Sequence, residues 1–300
     1  GNIVSDTFVI LLVGCMVAAS CALVGTFLVL RKMALLGDAI SHSVLPGIAI
    51  GFLLTQSRSS LVMVVGAGAL GVLTVFLVER LQRTGRLYAD ASIGVVFPAL
   101  FAVGVILISR YASMIDLDLD CVLYGEIAYT PWDLVVVAGR TVGPRAVWIN
   151  GLTLLLNLVL IGLFYKELKL VSFDPGLSEA LGFRPVRLHY LLMALVSVTV
   201  VAAFESVGAI LVVAMLVVPP SVAYLLVDRL ALMLVTAVAA GCVAVFAGYG
   251  LARLVDGSIA GGMAVAAGAL FVLAFLFSPR YGLIASWIRR RAAVGRAHTP

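Results

Sequence analysis

The chain has 300 residues, 63% hydrophobic and only 12% charged, with a mean hydropathy of +1.19 and a net charge of +5. Soluble domains carry roughly 45–50% apolar and about 25% charged residues. This composition therefore describes an integral membrane protein and excludes a globular catalytic domain or a nucleic-acid-binding one, because no polar segment is long enough to hold either.

The apolar runs are unbroken rather than alternating, which favours helices over a barrel. A helix needs about 20 apolar residues to cross a bilayer. The sequence predicts spans over 7–30, 34–54, 60–78, 91–109, 147–164, 188–204, 207–226, 230–252 and 259–277. That is nine crossings, or eight if two merge or one fails to cross. The first run is too long for a signal-peptide core and lacks a basic flank before it, so it reads as a permanent span. The segment 133–143 is apolar but short, and reads as re-entrant or interfacial.

The loops sort by charge. Fifteen Lys and Arg fall on one side, among them Arg31, Lys32, Arg80, Arg184 and the run Arg289 to Arg291, against five on the other. Basic loops remain cytoplasmic, so the N-terminus is expected outside and the C-terminus inside, with a basic tail over 279–300 meeting lipid phosphates. The outer loop 110–133 carries Asp116, Asp118, Asp120, Glu126 and Asp133. It would either attract cations or simply be solvated. The cysteines Cys15, Cys21, Cys121 and Cys242 have neither zinc nor disulfide spacing and read as small hydrophobes.

The second span is ALLGDAISHSVLPGIAIGFLL. Asp38 lies about one turn in and His42 one turn further, at roughly 1.5 Å per residue. Residues four apart share a helix face, while Ser41 and Ser43 lie on others. A charge at the centre of a span costs about 2.5–3.5 kcal/mol on insertion scales, and such residues face a pathway or a partner. Three readings fit: a structural hydrogen-bonding pair, a proton relay, or a transition-metal site. A carboxylate oxygen with an imidazole nitrogen suits manganese, iron or zinc, whereas calcium and magnesium take oxygen shells. One chain supplies two such ligands, and two copies of this helix facing each other across a two-fold axis would supply four. Pro46 and Gly47 follow in the same span, where a kink, a gate or a close helix approach is expected. Glu205, in AFESVGAI between two spans, reads either as an outer metal ligand or as a partner for the next helix start. His189, at the cytoplasmic start of a span, reads as interfacial.

Residues 172–184, SFDPGLSEALGFR, predict a two-turn cytoplasmic helix. Asp174 suits its cap, Pro175 its first position and Gly182 the position after its end. Leu177, Ala180 and Leu181 form an apolar face at i, i+3, i+4. So short a helix is marginal alone in water and needs the membrane surface, the bundle or a partner protein to lie on.

LRKMALLGDAISHSVLPGIAIGFLL, VSFDPGLSEALGF and ESVGAILVVAMLVVPPSVAYLL together resemble the permease subunit of the ABC-type importers for manganese, zinc and iron, in order over most of the chain. The resemblance implies an all-α polytopic bundle of 8–9 transmembrane helices, one permease domain over 1–300, built like the vitamin B12 and haem importers and sited in the bacterial cytoplasmic membrane. It implies a second permease subunit, identical or paralogous, two cytoplasmic ATP-binding subunits, and an extracellular or periplasmic metal-binding protein. It implies a metal pathway at Asp38 and His42, and a coupling helix at about 174–183. No cofactor would be bound permanently, since manganese, zinc or iron is cargo. ATP hydrolysis would belong to the partner, and the chain has no GxxxxGK[ST] phosphate loop. An alternative is a secondary transporter driven by a proton or ion gradient, with the Asp–His pair as its relay.

Overall fold

The computed structural model describes residues 3–55, 60–82, 85, 88–111, 127–137, 140–278 and 282. The acidic stretch 112–126, Cys121 and the basic tail, apart from Gly282, lie outside them.

Eleven α-helices run in chain order among the described residues: α1 (Ile3–Leu30), α2 (Ala34–Thr55), α3 (Ser60–Gln82), α4 (Ala89–Tyr111), α5 (Arg145–Leu163), α6 (Tyr165–Phe173), α7 (Pro175–Ala180), α8 (Pro185–Val207), α9 (Ala209–Leu226), α10 (Leu230–Val255) and α11 (Ile259–Phe277). Nine of them have 18 residues or more. Eight are long and apolar enough to cross a membrane, and α2, which carries Asp38 and His42, is the ninth. At about 1.5 Å per residue, the 28 residues of α1 exceed the bilayer's hydrocarbon thickness, so this helix crosses with tilt or projects beyond it.

α1 and α8 form the centre, with 67% and 72% of their spans buried, against 22% for α4 and α11. Phe27, Leu28, Leu36, Ile40, Leu192, Met193, Met215 and Leu216 are fully buried and join α1, α2, α8 and α9 in one core. Lipid is as apolar as these side chains, so burial drives helix association less than close packing and polar bonds do. Both are present. Gly25 meets the Leu216 carbonyl, and Gly248 meets the Met263 backbone. Asn157 donates to Thr199 at 2.8 Å and Asn150 to Ser206 at 2.7 Å, stitching α5 to α8.

One sequence expectation gains detail and another shifts. The apolar stretch 133–143 lies in an antiparallel hairpin, β1 (Leu134–Val137) with β2 (Arg140–Pro144), pairing Leu134 with Pro144 and bulged between Val135 and Val136. Its β-branched residues favour strands over a membrane helix, and the Arg145 amide, donating to the Asp133 carbonyl at 2.8 Å, carries the chain into α5. Exposed Tyr129, Trp132 and Trp148 lie close by in sequence, where an aromatic belt at the membrane interface would fall. The shift is at Glu205 and Ser206, which lie within the last turn of α8 rather than between spans. The break falls at Gly208, whose φ of 79° only glycine adopts freely.

Candidate functional site

α2 buries Leu36, Ala39, Ile40, Ser41 and Ser43 and leaves Leu35, Asp38 and His42 on its open side. The two hydroxyls are spent on the helix itself: Ser41 donates to the Gly37 carbonyl at 2.9 Å and Ser43 to that of Ile40 at 2.8 Å. Among the described side chains of this helix, that leaves Asp38 and His42 as polar groups on its open side. The His42 Nε2 lies 3.4 Å from Asp38 Oδ1, and the side chains are 31% and 42% exposed respectively. Metal–ligand bonds of about 2.0–2.2 Å from two atoms at this separation converge on one ion at an angle of roughly 105°, between the tetrahedral and cis-octahedral values.

The imidazole is fixed from the side by α4, where the Phe97 ring lies 5.0 Å away and tilted, and the Phe101 ring 6.2 Å away and edge-on. Below it, Pro46 is packed against Gly104 of α4, where a methyl group would overlap the proline ring. Gly47 sits on α3, where a methyl would lie 2.6 Å from the Ala67 Cα. α2 runs unbroken through Pro46, so at this point its backbone is clamped between two neighbours. Among the described residues no group of three or more His, Cys, Asp or Glu could hold an ion.

Glu205 stands apart from this pair. Its Oε1 lies 3.2 Å from the Arg145 guanidinium at the hairpin end of α5.

The short helix α7 is fastened at both ends. Asp174 accepts from the Leu177 amide at 2.9 Å, and Pro175 opens the helix. At the other end Gly182, with φ +84°, donates to the Glu179 carbonyl while Phe183 donates to that of Ser178, the paired bonds of a Schellman stop. Of its described side chains only Ser178 is buried. Leu177 is 47% exposed and Leu181 61%, with Ala180 exposed beside them. The apolar face thus points away from the bundle.

A further cluster was not foreseen from the sequence. His189, in the second turn of α8, has its Nε2 2.5 Å from Glu79 Oε1 and its Nδ1 3.3 Å from Arg31. Burial lowers the Arg31 pKa from its ordinary value. An ionisable residue near the end of each of two spans was the available signal; their meeting depends on the fold.

A family model described as the ABC 3 transport family matches residues 6–278. The chain is 49% identical to the "Manganese transport system membrane protein MntD" of Bacillus subtilis over 93% of its length and 95% of that protein's. It is 47% identical to the "Zinc transport system membrane protein TroD" of Treponema pallidum, over 97% of this chain and 78% of the relative. Among solved structures it is similar to a chain of PsaBC from Streptococcus pneumoniae in complex with Fab, with a TM-score of 0.76 and 30% identity over 92% of this chain and 93% of that one.

Proposed function

We propose that this chain, which belongs to the ABC 3 transport family, is the membrane-spanning subunit of an ATP-driven importer of divalent transition metal, with manganese first and zinc or iron next as cargo. The carrying observation is the carboxylate–imidazole pair left open on a helix whose two serine hydroxyls are satisfied. An oxygen and a nitrogen on one face suit these ions, and two ligands per chain suit passage better than storage. A second permease subunit, identical or paralogous, supplies the other half of the shell. A metal-binding protein delivers the ion from outside.

The positive-inside distribution sets the N-terminus outside and the C-terminus in the cytoplasm. α7 then lies on the cytoplasmic side, offering Leu177, Ala180 and Leu181 to one of two ATP-binding subunits, with Asp174, Pro175 and Gly182 holding its shape. Pro46 and Gly47, clamped between α3 and α4, form the gate beside the ion. Glu205 is the entry-side carboxylate, and takes a cation only once Arg145 releases it.

Uptake of radioactive manganese tests the site. Cells carrying Asp38→Ala or His42→Ala should lose uptake by about tenfold or more, on the scale of losing a metal-site group, while the variant still co-purifies with its ATPase. Wild-type uptake in both variants removes the assignment.

A further inference from the structure

The cytoplasmic end holds a polar network that the ion pathway does not use. Arg31 follows the end of α1, Glu79 lies in the last turn of α3, Ser172 near the end of α6, and His189 in the second turn of α8. Arg31 Nε donates to Ser172 Oγ at 3.2 Å, and its Nη1 reaches His189 Nδ1 at 3.3 Å. A guanidinium has only donors, so Nδ1 must present its lone pair. Its Nε2, on the far side of the ring, lies 2.5 Å from Glu79 Oε1. His189 therefore stands between a cation and an anion, with one ring nitrogen against each. The His189 and Glu79 side chains are only 16% and 15% exposed, so removing the bridge leaves poorly solvated charge behind.

The position of the network gives it a direction. Asp174 is at once the end of α6 and the cap of α7, so Ser172 sits on the stem of the docking helix. Arg31 opens the three-residue turn leading into α2, where the Met33 carbonyl accepts from the Leu36 amide at 3.0 Å. From α7 the connections run through Ser172 and Arg31 to the start of the helix bearing Asp38 and His42, with His189 and Glu79 anchoring the junction to α8 and α3. A cavity of about 440 Å³ lined by Arg31, Lys32, Glu79, Ser172, Pro185 and His189 lies beside it, leaving room for these side chains to rearrange.

We infer that His189 is a positioning residue for energy coupling: by bridging Arg31 and Glu79 it locks the stem of α7 to the start of α2, so that displacement of α7 moves the ion site. This rests on α7 being the helix that docks on the ATPase.

The test uses the complete transporter, permease with its ATP-binding subunits, in proteoliposomes, and reads manganese ions carried per ATP hydrolysed. His189→Leu removes both contacts and should lower that ratio roughly tenfold, the order expected for a buried charge-assisted bond. His189→Gln keeps an acceptor for Arg31 and a donor for Glu79, and should stay within about twofold of wild type. An unchanged ratio in His189→Leu, or equal loss in His189→Gln, overturns the inference. Should His189→Leu fail to assemble, Ser172→Ala cuts only the link to the stem: a fall in its ratio supports the lock, and a wild-type ratio overturns it. Leu177→Asp separates the underlying reading. If it transports normally, α7 is not the docking helix; if it is uncoupled while His189→Leu is normal, the lock alone fails.

Discussion

A single methyl group is enough to test how α1 and α9 meet. Adding one at Gly25 would overlap the Leu216 carbonyl oxygen, a backbone atom that cannot rotate away. Gly25→Ala should destabilise the protein by about 1–3 kcal/mol, the range for overpacking, seen as a lower midpoint in thermal unfolding in detergent. Gly268, in α11, has open space around the same position. There, Gly→Ala should be neutral or stabilising by up to about 1 kcal/mol through helix propensity, and equal destabilisation of the two would refute the packing argument. Asp38 and His42 were legible in the sequence because each violates its surroundings and their spacing fixes a shared face. Glu79 and His189 were not. They belong to spans far apart in the chain, and only the packing of α3 on α8 brings them together.

α7 shows what local signals can and cannot specify. Its cap at Asp174 and its stop at Gly182 are written in neighbouring residues, and the structure has both. The direction of its apolar face is not local: it follows from Ser178 being the side turned to the bundle. Asp174→Ala should free the Leu177 amide and cost this helix about 1 kcal/mol. Hydrogen exchange over 172–184 should then quicken by roughly fivefold, and unchanged exchange would mean the cap contributes nothing. The stretch 133–143 was expected only to be re-entrant or interfacial, and its strands were left unspecified because hydropathy alone cannot tell a short apolar strand from a short apolar helix. The distinguishing signal was present in Val135, Val136, Val137, Thr141 and Val142, which are β-branched. Likewise the joint between α8 and α9 was placed at Glu205 and Ser206, between spans ending at 204 and starting at 207, whereas it falls at Gly208, which takes the required φ.

Taken together, the helices surround α1 and α8 and leave the polar side of α2 incompletely covered. The polytopic architecture could be read from hydropathy and loop charge because the bilayer enforces both. Whatever faces Asp38 and His42 could not, since one chain's sequence does not say what is packed against it. If two subunits share one ion, as proposed above, a defect is inherited in an unusual way. Expressed in equal amount beside the wild type, an Asp38→Ala allele would mix into the dimers at random. With identical subunits about one assembly in four stays intact, and with a paralogous partner about one in two. Manganese uptake in such merodiploid cells should fall towards one of these fractions, so the allele behaves as dominant and its degree of dominance counts the copies. Undiminished uptake would mean that each chain carries its ion alone.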